Sequence, residues 1–162
     1  MTTRGTLLTA ATALVTAVPV AAWGLMGRQD AEGVAPAELD YAYRPLDIAD
    51  GPAALVGAAA LLLGGLAAAL LVRASRAGRL DARWWQVLAP LMVAGLVIGV
   101  GYRVLTAGVI GANIGAGLTM LFGVPVVAAL VAWALVRGVW LAAHRGDGGS
   151  GGRGMRVAPH GM

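Results

Sequence analysis

Cysteine is missing from the 162 residues, and with it go any disulfide framework, thiolate metal site or cysteine nucleophile. Lysine is missing as well: all twelve basic residues are arginine, a bias that points to codon usage in a GC-rich genome rather than to chemistry. The two histidines, His144 and His160, lie outside the apolar segments, so the paired intramembrane histidines that would hold a b-type haem are lacking. None of the eight acidic residues falls inside an apolar run, which argues against a proton-driven pump acting alone, because such pumps place carboxylates in mid-membrane. There is no phosphate-binding loop, HExxH, G-x-S-x-G or long internal repeat. With no nucleophile–base pair visible, the sequence predicts no catalytic residue, no cofactor, no metal site and no enzyme activity.

Apolar residues are what the chain does have. They make up 59% of it, with a mean hydropathy of +0.77, above the roughly 45–50% usual for globular domains. Four apolar segments, at about 6–26, 52–72, 84–106 and 118–136, are each long enough to cross a hydrocarbon layer of about 30 Å. The predicted fold is all-α: an integral membrane four-transmembrane-helix bundle over residues 1–144. Residues 145–162, glycine-rich and without apolar period, are predicted to be a disordered tail. A pI near 10.7 is no sign of nucleic-acid binding in a chain whose charges are so unevenly placed, and no nucleic-acid partner is expected.

The arginines set an orientation. Arg73, Arg76, Arg79 and Arg83, opposed only by Asp81, crowd the short connection 73–83, and short basic connections stay on the cytoplasmic side. Arg4, Arg145, Arg153 and Arg156 agree with both termini being cytoplasmic, which leaves the loop 27–51 outside. A bacterial plasma membrane is the expected location. Trp84 and Trp85, and Trp133, Arg137 and Trp140 with His144 on one helical face, are predicted interface anchors. An alternative for residues 1–22 is a signal peptide cleaved after Val20-Ala21-Ala22.

Packing expectations follow from the small residues. Gly57, Ala60, Gly64 and Ala68 make a face on which helices approach closely, so the second span is the expected central packing element. Asp50 is its expected cap, with Pro52 in its first turn. Gly95 and Gly99 form a GxxxG in the third span. Thr9, Thr12 and Thr16 share a face of the first, either bonding back to their own helix or lining a path. Residues 107–117 are expected to turn near 108–115, with a re-entrant segment as the alternative, and Pro125 should kink the fourth span.

Six of the eight acidic residues cluster in 27–52, among them Asp40, Asp47 and Asp50, together with Tyr41 and Tyr43. The loop is far longer than a helical hairpin needs, and Tyr41, Tyr43, Leu46 and Ile48 are expected to hold part of it against the bundle or lipid. Its carboxylate spacing matches no calcium loop. Arg103, at the outer end of the third span, would cost at least about 2.5–3.5 kcal/mol in hydrocarbon; pairing with Asp47 or Asp50 is predicted, and lipid phosphate is the alternative. The expected partners are the lipid bilayer and another membrane protein or a second copy, met through small-residue helix faces. The expected function is a noncatalytic accessory or scaffold subunit with the acidic loop as recognition surface. A small oligomeric transporter or channel is the alternative.

Overall fold

The computed structural model describes residues 3–35, 38–109 and 112–144; the predicted disordered tail lies outside the described residues. Helix α1 (Thr3–Met26) is followed by a long loop, α2 (Asp50–Arg76), a 3₁₀ turn (Ala82–Trp84), α3 (Trp85–Leu105), α4 (Ala112–Leu118), a π turn (Thr119–Gly123) and α5 (Val124–Ala143). The last three form one continuous span, so among the described residues four helices are long and apolar enough to cross a membrane. Among the described residues there is no strand beyond a single bridge between Tyr41 and Gly108.

The helices pack side by side in the order α2, α1, α3, α5, each antiparallel to the one before it in sequence. This corrects the expectation that α2 is central. α2 contributes the row Ala53, Gly57, Gly64, Ala67, Leu71 and Ala74 to a seam with α1, while Leu55, Leu62 and Leu66 on its other side are exposed. α1 supplies Ala10, Leu14, Ala17 and Ala21. The α1 row alternates spacings of four and three, and the α2 row keeps the same seven-residue period with one step of seven between Gly57 and Gly64, the period that keeps one seam facing its neighbour along antiparallel helices. The closest approach is at Gly24 and Gly57, where a Cβ on Gly57 would lie 2.8 Å from Gly24 Cα.

The other face of α1 meets α3. Pro19, inside α1, lacks an N–H for the Val15 carbonyl, and its ring protrudes. The GxxxG of α3 accommodates it: a Cβ on Gly95 would meet Pro19 Cδ at 2.9 Å, and one on Gly99 would meet the Pro19 carbonyl oxygen at 2.5 Å. The glycine pair therefore packs within the chain. Because α1 touches both α2 and α3, a chain cut after Ala22 would lose the middle of the array.

Local chemistry ends each helix. Gly27 and Gly78, at φ 69° and 68°, follow α1 and the end of α2 in the left-handed conformation that glycine adopts without a Cβ clash. After α2, the N–H groups of Arg79 and Leu80 return to the Ala74 carbonyl at 2.9 and 3.2 Å. Asp81 Oδ1 then accepts from the Arg83 N–H at 2.9 Å and starts the next turn. At the other end of α2, the cap position is Ala49, with no side-chain bond. Asp50 is instead in the first turn, where the helix dipole favours a carboxylate.

The fourth span starts earlier than predicted, at Ala112. Residues 112–118 are helical and continuous with it, so the glycines there do not prevent helix formation. Pro125 is the second residue after the π turn; its ring excludes an α-type bond to Leu121, and the widened turn absorbs the mismatch. Two threonine hydroxyls of α1 bond back along their own helix, Thr9 to Gly5 O at 3.0 Å and Thr16 to Thr12 O at 2.9 Å.

Candidate functional site

The polar groups converge at the end of the array where α1 stops, α2 starts and α3 turns into α4. The last carbonyls of α1 have no partners within their own helix. Gln29 Nε2 donates to Met26 O at 3.0 Å. Arg103 Nε, from α3, donates to Trp23 O at 2.6 Å, with its guanidinium 4.8 Å from the centre of the Trp23 ring. Arg103 is only 5% exposed, and its Nη2 has no hydrogen-bond partner. The carboxyl-terminal dipole of α1 and the face of the indole are what compensate its charge at contact distance.

The predicted pairing of Arg103 with Asp47 or Asp50 is not what the structure contains. Both carboxylates lie 3.9 Å from Arg28, through its Nη2 and Nε respectively. Arg28 Nη2 also donates to Ile48 O at 3.0 Å. Among the described residues no carboxylate comes within ion-pair distance of Arg103. The reason is positional. Arg28 lies just beyond α1, level with the start of α2, whereas Arg103 points sideways into the α1–α3 seam.

A second set of contacts pins the loop to the α3–α4 turn. The Gly108 N–H donates to Asp30 Oδ1 at 2.8 Å, and the Ala31 N–H donates to Gly108 O at 2.9 Å. Tyr41 bridges to Gly108, its ring so close that a Cβ there would sit 2.6 Å from Cε1. Partial burial, and then the neighbouring Asp30 carboxylate, raise the Tyr41 phenol above its ordinary pKa of 10.0. The expectation that part of the loop lies against the bundle is met at Tyr41. Tyr43, Leu46 and Ile48 are 55%, 60% and 37% exposed, and Asp40 and Asp47 also face outward.

At the opposite, basic end, the predicted anchors occupy both sides of α3. Trp85 packs against the α1–α2 cluster around Leu14 and Leu71, and Trp84 against the α3–α5 cluster around Val87 and Leu141. Arg137 Nε donates to Gln86 Oε1 at 2.7 Å, tying α5 to α3, and its guanidinium lies over the Trp140 ring at 4.7 Å. Trp140 stacks on His144 at 4.6 Å, while Trp133 is 61% exposed.

Sequence reasoning missed Trp23, Arg28, Asp30 and Gly108. Arg28 was legible as a cation beginning an acidic loop. Trp23 and Gly108 carried no local signal, because each matters through a partner about 80 residues away in sequence. Between α3 and the fourth span there is also an apolar groove of about 460 Å³, lined by Val97, Gly101, Tyr102, Thr119, Gly123 and Val127 among others. The Thr119 hydroxyl beside it is engaged with Gly115 O at 2.9 Å. Comparison with protein-family models, with curated proteins and with solved structures finds no match.

Proposed function

We propose that this small membrane protein is a noncatalytic accessory or scaffold subunit that presents its acidic outer loop, outside the cytoplasm, to a membrane-bound partner. One observation supports this reading above others. The loop is anchored at both ends, through Gly108 and through Arg28, yet between those anchors it turns Asp40, Tyr43, Leu46 and Asp47 outward. Anchoring lowers the ordering entropy lost on binding. Tyrosine is enriched in protein–protein interfaces, and carboxylates suit the polar, solvated rim around such a residue.

The test is native mass spectrometry after gentle extraction, with a photo-crosslinking amino acid in place of Tyr43. A hetero-complex cross-linked through position 43 is the expected result. A monomer without cross-links overturns the reading, and a homo-oligomer that passes ions in liposomes replaces it with a channel.

A further inference from the structure

Arg103 carries the inference. An arginine as buried as Arg103, 5% exposed over the whole residue, normally uses its donors, yet Nη2 has no acceptor, and such an orphan inside a membrane-crossing helix points to a group that completes it. Its contacts are all neutral: the Trp23 carbonyl and the Trp23 ring. Close by, Arg28 stands 3.9 Å from Asp47 and from Asp50, beyond hydrogen-bond length, and both carboxylates are exposed. Two guanidiniums and two carboxylates therefore share one end of the array without one good charge-assisted bond among them. Arg103 lies two residues before the end of α3, and Arg28 two residues beyond α1, the depth at which lipid headgroups meet helix ends.

We propose that this cluster binds the headgroup of an amine-bearing zwitterionic phospholipid, with the phosphate on Arg103 and Arg28 and the primary ammonium on Asp47 and Asp50. Charge complementarity selects this occupant. An anionic headgroup without an amine meets the carboxylates unfavourably, and a quaternary choline has no N–H to donate to them. The planar guanidinium fork matches phosphate oxygens. Because Nη2 is buried, the phosphate reaches it only when the side chains around it rearrange; the 3.9 Å carboxylate contacts of Arg28 can open for this while its 3.0 Å bond to Ile48 O keeps the loop anchored. The proposal does not depend on the accessory-subunit reading.

The full chain in mild detergent is mixed with equal amounts of phosphatidylethanolamine, phosphatidylglycerol and phosphatidylcholine, and retained lipid is counted by native mass spectrometry. The expected result is about tenfold preference for phosphatidylethanolamine, with Arg28→Gln and the Asp47→Asn/Asp50→Asn double variant each losing about tenfold of it. Asp47 and Asp50 are exposed, so the double variant folds; Arg28 is partly buried and holds the Ile48 carbonyl, so Arg28→Lys, which keeps a donor and the charge without the fork, is the second variant at that position and should lose the preference too. Arg103→Lys keeps the buried charge without the fork and should lose the preference too, whereas Arg44→Gln should keep it. A second arm adds soluble phosphoethanolamine to protein in phosphatidylcholine nanodiscs; binding as tight as that of the lipid would overturn the lipid assignment. Equal retention of the three lipids, preference for phosphatidylglycerol, or a preference unchanged in the Arg28 and Asp47/Asp50 variants would overturn the site, leaving Nη2 to an internal water.

Discussion

Two glycines of α2, eight positions apart, should respond to alanine with opposite signs. At Gly57 a new Cβ would come 2.8 Å from Gly24 C and Cα and from the Leu25 nitrogen. All three are backbone atoms, so no side chain can rotate away. Ordinary contact begins near 3.4 Å, and the helices must therefore part by about 0.6 Å at the crossing, enough to forfeit a quarter or more of the attraction between facing atoms. Overpacking of this kind costs about 1–3 kcal/mol. Alanine's better helix propensity returns at most about 1 kcal/mol. Gly57→Ala should therefore destabilise by about 1–2 kcal/mol net. At Gly65 nothing lies within 4 Å of the new Cβ, so the propensity gain stands alone and Gly65→Ala should stabilise by about 0.5–1 kcal/mol. Reversible unfolding in mixed micelles, followed by far-UV circular dichroism, measures both. If Gly57→Ala is as stable as Gly65→Ala, the close α1–α2 crossing is refuted.

Three further outcomes are expected. Gly108→Ala drives a methyl into the Tyr41 ring and the Asp30 carboxylate, so hydrogen exchange at residues 30–34 and 38–42 should quicken by about tenfold or more, while the α1–α2 seam stays protected. The phenol of Tyr41 is raised above 10.0 by burial and by Asp30, so its contribution to loop anchoring is complete below about pH 10 and lost as pH rises beyond it. Tyr41→Phe should remove that alkaline step from an exchange-versus-pH profile; a profile identical to wild type would refute the assignment. Because the chain has no cysteine, a single Cys at position 43 should react with an impermeant maleimide on intact cells, and one at position 75 only after permeabilisation. The reverse pattern would overturn the proposed orientation.

How much could be read beforehand depended on the range over which the physics acts. The four spans were legible because crossing a bilayer demands about 20 apolar residues in one run, and Pro52, Gly78, Pro125 and the Gly95/Gly99 pair marked turns or close packing through their own backbone geometry. The start of the fourth span was misplaced because glycine weakens helix propensity without forbidding it, and packing of Ala112 and Ala116 decides the matter. The site was less legible. Its composition was plain in the clustering of Asp47 and Asp50 with Tyr41, but the partner of those carboxylates was not, since Arg28 and Arg103 look alike as letters.

The sequence by itself determined the number of apolar spans, the acidic and basic ends, and the absence of a thiol, because each of these is a local sum over residues. Only the tertiary structure decided that α1 is the middle of the row, that Gly24 meets Gly57, and that Arg103 spends its charge on the Trp23 carbonyl and ring while Arg28 faces the carboxylates. Those are choices between neighbours distant in sequence. They are settled by which backbones can approach most closely and which cation the end of a helix leaves nearest to a given loop.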